Sequence, residues 1–211
     1  MSEHPCRLYL TAPEGQPLDV LGLLLSEALS ANDVAAVLYT NSDKASPEHA
    51  STLMQCTLDH EAAFIIADDI DFARQIGADG VHISGNIETY EMARKELGDD
   101  RIVGLTSALN RHDAMCFGEV GTNYILFDPD LPNPHPSIDP QILENLIEWW
   151  SRLFEIPCVA PAGVNVEKNR ALIEAGVDFL SLDATIWNSD QSVDETLKSI
   201  SDLIADCGRR Q

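Results

Sequence analysis

"IGADGVHIS", residues 76–84, sets a glycine, one further residue, an aspartate and then a short apolar run. The same form returns in "VGTNYILFD" (120–128) and "AGVDFLSLD" (175–183), with asparagine in place of aspartate in the first of these. In each copy the glycine suits a helix C-terminus, where a residue at positive φ is needed. The aspartate or asparagine suits the turn that follows. The run after it is short, apolar and bounded, as expected of a parallel strand buried on both faces. Each copy therefore reads as the end of a helix feeding a strand.

Working outward, eight strand candidates emerge: residues 7–12, 34–40, 62–67, 80–84, 101–107, 123–128, 157–163 and 179–187. Helical patterns lie between them. Leu21, Leu24, Leu25, Ala28 and Leu29 form one stripe. Ser46 and Pro47 suit an N-cap and first helical position. Ile142, Leu146, Trp149, Trp150 and Leu153 form another apparent buried stripe. Alternation of this kind implies parallel strands with right-handed crossovers. Eight units point to one closed (βα)8 TIM barrel spanning 1–211 as a single domain. An open doubly wound sheet is the alternative. No linker, low-complexity tract or composition break divides the chain.

The 211 residues carry 13 Lys plus Arg against 35 Asp plus Glu, a formal net charge of −22. Such a field repels nucleic acid and anionic membranes. It equally describes a well-solvated acidic surface. Five cysteines without a Cys-x-x-Cys motif read as reduced, mostly buried thiols. No apolar stretch approaches the roughly 20 residues of a membrane span. No signal-peptide pattern opens the chain, so a cytoplasmic location is expected.

In a (βα)8 barrel the chemistry lies at the C-terminal ends of the strands. Carboxylates recur at those addresses: Asp68, Asp69, Asp128, Asp130 and Asp183. They suit a hard cation such as magnesium, or they simply cap the helices that follow. The stretches "APAGVN" and "LDATIW" supply small residues and helix N-terminal amides able to hold a phosphate. His82 lies inside a strand and reads as an interior histidine rather than a base. His135, in the Pro-rich loop at 128–137, is open to a ligand.

These residues resemble the thiamine-phosphate synthases and their relatives, including the thiazole tautomerases. "RLYLTAP" is similar to the family's opening strand, and "FIIADDIDFARQIGADGVHIS" to its most recognisable segment. "IVGLTS", "NYILFDPDLPNPHPS" and "PCVAPAGVNVEKNRALIEAGVDFLSLDATIW" follow its later strands and loops. The resemblance spans essentially the whole chain. It implies a magnesium-assisted reaction that joins hydroxymethylpyrimidine diphosphate to thiazole phosphate and releases pyrophosphate.

Carried over by position, the resemblance places metal binding on Asp68, with Glu88 as substitute beside Ile87, where a second aspartate is expected. It places catalytic roles on Thr106, where the family has serine, and on His135, beside the position of a loop lysine. Phosphate contacts fall on Gly163, Ala184 and Thr185. The family's Gln-x-Arg-x-Lys diphosphate clamp falls at Val37, Tyr39 and Asn41, so Tyr39 and Asn41 are the expected substrate contacts. Its Asn-Asp-Arg becomes Ala67, Asp68 and Asp69. A leaving diphosphate carries about three charges, and each charge-assisted hydrogen bond to it is worth roughly 1.5–3 kcal/mol. Losing two or three cations therefore implies weak or altered synthase activity. The alternative is a non-catalytic binding or regulatory barrel for a thiazole phosphate or a related ligand. The expected partner is a small phosphorylated molecule, with a homo-oligomer compatible with the sequence.

Overall fold

The computed structural model describes residues 6–12, 17–40, 47–132, 141–163, 165–183, 186–187 and 193–209. Its strands are β1 (Arg7–Thr11), β2 (Val34–Tyr39), β3 (Ala63–Ala67), β4 (Gly80–Ile83), β5 (Ile102–Ser107), β6 (Tyr124–Phe127), β7 (Cys158–Pro161) and β8 (Phe179–Leu182). Between them run α1 (Leu18–Ala31), α2 (Pro47–Leu58), α3 (Ile70–Ile76), α4 (Ile87–Leu97), α5 (Arg111–Glu119), α6 (Ile142–Leu153) and α7 (Val166–Glu174), and α8 (Val193–Gly208) follows β8. The strands pair in parallel in chain order and β8 returns to β1, closing the barrel. All strand C-termini thus open on one mouth. This is the (βα)8 architecture expected from the alternation; the open sheet is excluded.

The recurring glycine motif has a specific mechanical role. Gly77, Gly121 and Gly176 take φ values of 73°, 81° and 95°, ending α3, α5 and α7. Two residues on, each acidic or amide side chain reaches across to the preceding strand. Asp79 Oδ2 accepts from Phe64 N at 2.8 Å. Asn123 Oδ1 accepts from Val103 N at 2.8 Å. Asp178 Oδ2 accepts from Cys158 N at 2.9 Å. Each staple satisfies a backbone donor at the strand start that the ladder leaves open. The first pair is tied differently, by an exposed ion pair in which Asp33 accepts from Arg7 Nε at 2.8 Å. The barrel is therefore fastened at its N-terminal mouth in four strand pairs.

Side-chain alternation divides the core in two. Tyr9, Ala36, Ile65, Tyr124 and Val159 fill the barrel interior. Leu8, Val37, Phe64, Val81 and Ile125 face outward, onto helix residues such as Leu21, Leu25, Leu53 and Trp150. The α1 stripe packs largely as expected, with Leu21, Leu25, Ala28 and Leu29 buried. The α6 stripe is displaced by one position: Leu143, Leu146, Ile147 and Trp150 are buried, whereas Leu153 is 66% exposed. Trp150 anchors the helix because its ring stacks on Phe154 at 4.0 Å and its indole N–H donates to Ile156 O. The expected long last strand stops at Leu182. Beyond it Trp187 donates from Nε1 to Thr11 O at 2.8 Å, tying the end of β8 to β1. Ser46 lies outside the described residues.

No helix among the described residues is long and apolar enough to cross a membrane. Cys6, Cys158 and Cys207 are buried and all five thiols are free. Burial pushes the Cys6 thiol up to about 12 and raises Cys158 as well, so neither is a reactive thiolate.

Candidate functional site

The C-terminal mouth is ringed by the residues that end the parallel strands. Asp68, at the end of β3, is held in an unusual way. Its φ of 54° is left-handed, a conformation uncommon outside glycine. Its N–H donates to His82 O at 2.9 Å, and its Oδ1 accepts from Ser84 N at 2.7 Å. Both bonds clip β3 to the end of β4. Its Oδ2 has no protein partner among the described residues. Asp69, next to it, is a helix cap: its side chain accepts from Phe72 N at 2.9 Å. Glu88 sits exposed in the first turn of α4, just after Asn86, which caps that helix through Thr89 N. Asp128 turns back on its own loop, accepting from Asp130 N at 2.8 Å.

Inside the barrel, below the mouth, four side chains form a continuous polar chain. Tyr9 Oη lies 2.8 Å from Tyr124 Oη. Tyr124 Oη lies 2.8 Å from His82 Nδ1, and His82 Nε2 lies 2.6 Å from Thr106 Oγ1. Burial pushes His82 down to about 4, against a smaller upward pull from Asp68. Burial raises both phenols. All three groups are therefore neutral at pH 7. His82 is the interior histidine read from the sequence, and Thr106 is brought to the top of β5 on its shoulder. The sequence reading passed over Tyr9 and Tyr124. Their signal was the period-two alternation in β1 and β6, which turns both rings inward.

Tyr39 requires a correction. Its side chain is buried in the strand–helix layer, stacked on Phe64 with centroids 5.7 Å apart and tilted against the His49 ring at 6.4 Å. Val37 faces the same way. The inward positions of β2 are Ala36 and Leu38, and alternation continues them to Thr40. Leu38 and Thr40, rather than Val37 and Tyr39, are the residues of this strand on the interior face. Thr40 Oγ1 is buried with no hydrogen-bond partner among the described residues. No described strand ends in lysine or arginine at the mouth. Arg111 lies away from the mouth, over the Trp149 ring at 4.8 Å, and lines an outer groove of about 600 Å³ between α5 and α6.

The turn after β7 also differs from a simple anion cradle. Gly163 N donates to Asn169 Oδ1 at 2.9 Å, and Asn169 Nδ2 donates back to Gly163 O at 2.8 Å. Asn165 caps α7, accepting from Glu167 N and Lys168 N. The amide of Gly163 is thus engaged within the protein, and its expected use as a phosphate donor does not match this arrangement. Asn169, 2% exposed, is a structural support that helical periodicity alone did not single out. Asn41, His135, Ala184 and Thr185 lie outside the described residues. Among the described residues no three His, Cys, Asp or Glu side chains gather closely enough to hold a metal by themselves.

A parallel (βα)8 barrel with candidate ligand-binding residues at the C-terminal mouth defines a broad class of barrel proteins. Comparison with known proteins narrows it. The family model for thiamine monophosphate synthase matches residues 8–186. A thiamine-phosphate synthase of Rhodospirillum centenum is 37% identical over 190 residues, covering 87% of this chain and 90% of its own. One from Erythrobacter litoralis is 34% identical over 202 residues, covering 90% and 92%. Thiamine phosphate pyrophosphorylase from Pyrococcus furiosus superposes with a TM-score of 0.74 at 21% identity, over 95% of this chain and 96% of that one. The chain belongs to the thiamine monophosphate synthase family.

Proposed function

We propose that this chain is a thiamine-phosphate synthase-like protein of thiamine biosynthesis whose activity is weak or altered. Its C-terminal mouth takes a thiazole phosphate better than a pyrimidine diphosphate. The observation that carries this reading is the missing positive charge: Leu38 faces inward on β2, Thr40 continues that face, and no described strand end at the mouth bears a cation. A diphosphate requires fixed charge, whereas a monophosphate can be held largely by oriented amides. Thr106 contacts substrate in this reading, together with His135 and the residues 184–185.

Magnesium fits the carboxylates present. In phosphate sites it commonly takes one or two protein carboxylates and completes its shell with substrate and water. Asp68, through Oδ2, and Glu88 are the residues that would hold it, and the bound ion would offset diphosphate charge. The same lack of cations also favours a second reading, a barrel that binds a thiazole phosphate without turnover.

The test is a turnover assay with both substrates and magnesium, paired with calorimetric binding of each substrate alone. Detectable thiazole phosphate binding, weak diphosphate binding and slow turnover are expected. Binding without any turnover selects the regulatory barrel. Thiamine phosphate formation at an ordinary rate, roughly 0.1–10 per second, overturns the weakened-site reading. Installing charge by Leu38→Gln with Thr40→Arg is expected to raise diphosphate affinity. Val37→Gln with Tyr39→Arg would disturb the strand–helix layer instead.

A further inference from the structure

We propose that His82 is a positioning residue, fixed by Tyr9 and Tyr124 in the tautomer with its proton on Nε2, so that Thr106 meets the mouth as a hydrogen-bond donor. The inference rests on the synthase reading only for what Thr106 touches.

The direction of the chain follows from counting protons. In one direction Tyr9 O–H donates to Tyr124, Tyr124 O–H donates to His82 Nδ1, and Nε2–H donates to Thr106 Oγ1. Every buried proton then has an acceptor, and the Thr106 proton remains for a group in the mouth. In the reverse direction Thr106 donates to Nε2, Nδ1–H donates to Tyr124, and Tyr124 donates to Tyr9. That leaves the Tyr9 proton without an acceptor. A doubly protonated ring leaves the same proton stranded.

The surroundings of Tyr9 make this decisive. Its ring is 2% exposed and stands over a cavity of about 260 Å³ at the N-terminal end of the barrel. Ala36, Ala63, Ile65, Ile102 and Phe179 wall that cavity. Asn123, the amide in its lining, already accepts at Oδ1 from Val103 N and from Arg94 Nη2. This half-open lining is almost wholly apolar, and among the described residues Tyr124 Oη is the one hydrogen-bond partner of the Tyr9 hydroxyl. A buried donor without an acceptor costs more than an oxygen with a spare lone pair.

The geometry is held rigidly. The Tyr124 ring stacks on His82 with centroids 5.5 Å apart and planes 16° apart. It crosses β5 where Gly104 leaves room, since a Cβ there would lie 2.1 Å from Tyr124 Cζ. The chemical consequence is definite. His82 cannot accept the Thr106 proton, because Nε2 already carries one. Thr106 is therefore no activated nucleophile; it offers its proton to a phosphate or carboxylate oxygen.

The test is ¹⁵N NMR of the unmodified protein labelled at histidine, with the His82 signals assigned from their loss in His82→Gln or their displacement in Thr106→Ala. A pyrrole-type Nε2 and a pyridine-type Nδ1 are expected. A proton on Nδ1, or averaging between tautomers, overturns the proposal. A second arm measures inorganic phosphate binding by calorimetry. His82→Gln, whose amide N–H can still reach Thr106, is expected to bind within about threefold of the parent and His82→Asn about tenfold more weakly. Thr106→Ala combined with His82→Asn is expected to be no worse than Thr106→Ala alone, whereas additive losses overturn action through Thr106. Inorganic phosphate that fails to bind the parent counts against the reading of the mouth as a phosphate site, and the tautomer then decides this proposal by itself.

Discussion

The two mouths of the barrel use the same residue type for opposite ends. At the N-terminal mouth Asp79 and Asp178 sit in ordinary turns and spend their carboxylates on strand amides. At the C-terminal mouth Asp68 is bent into a left-handed backbone and keeps one carboxylate oxygen clear of the protein. The lower ring gives its polar groups to the fold. The upper ring holds some back at a conformational cost of about 1–2 kcal/mol. What separates structural from available carboxylates here is hydrogen-bond commitment, since both kinds occur in turns beside strands.

The strongest challenge to this contrast is a methyl group at each end. A Cβ on Gly80 would lie 2.1 Å from Ile102 O, a backbone atom in the β4–β5 ladder. Gly80→Ala is expected to cost about 3 kcal/mol or more in urea unfolding. At Gly163 the nearest atom to a new Cβ is 3.9 Å away. Gly163→Ala is expected within about 0.5 kcal/mol of the parent. Equal costs at the two positions would break the comparison.

Acid should reach the barrel interior next. His82 is lowered from 6.5 to about 4 by burial, so between these values the unfolded chain binds a proton that the folded one refuses. Its contribution is complete above the unfolded pKa. It declines as pH falls through that window, by up to about 1.4 kcal/mol per unit. Urea midpoints at pH 7, 5.5 and 4.5 measure the slope. His82→Gln is expected to flatten it relative to the parent, and an unchanged slope would assign acid sensitivity to the carboxylates instead.

Removing a staple is expected to cost somewhat less. Asp79→Ala, Asn123→Ala and Asp178→Ala each leave a strand amide without its acceptor, a loss of about 1–3 kcal/mol. Hydrogen exchange should locate the damage at Phe64, Val103 and Cys158 respectively. Asp128→Ala, which removes only a local turn contact, is expected within about 0.5 kcal/mol. The smallest stability change belongs to Asp68→Asn, which retains the oxygen that accepts from Ser84. Magnesium-dependent ligand binding should nevertheless weaken about tenfold, or 1.4 kcal/mol. Unchanged binding, with and without chelator, would leave Asp68 a strand clip only.

The fold was legible because its signal repeats. A glycine and an aspartate or asparagine at a fixed offset mark three strand starts, and alternation supplies the rest. α5, "RHDAMCFGE", carries little periodicity of its own and is implied by its place in the series. The site was less legible for a simple reason. A strand has a period of two, so a one-residue slip exchanges lumen for helix layer. That slip separates Tyr39 and Val37 from Leu38 and Thr40. The α6 stripe shows the helical version, since "ILENLIEWWSRL" offers two overlapping apolar faces and only packing around Trp150 selects one. The engagement of Gly163 by Asn169 depends on a contact six residues apart, which residue type alone does not announce.

The three staples and the Arg7–Asp33 ion pair also fall in alternate strand pairs. Each joins an odd strand to the even strand after it, and none spans an even-to-odd boundary. A break between α4 and β5 leaves two half-barrels, each holding both of its ties. A break between α3 and β4 places Phe64 and Asp79 on different pieces. Co-expressed fragments from the first cut should reassemble more readily than those from the second. The even-to-odd boundaries are joined by other contacts, His82 to Thr106 and Arg101 to Ala78 across β4–β5 and Trp187 to Thr11 across β8–β1, so the alternate pairing belongs to the N-terminal ties alone.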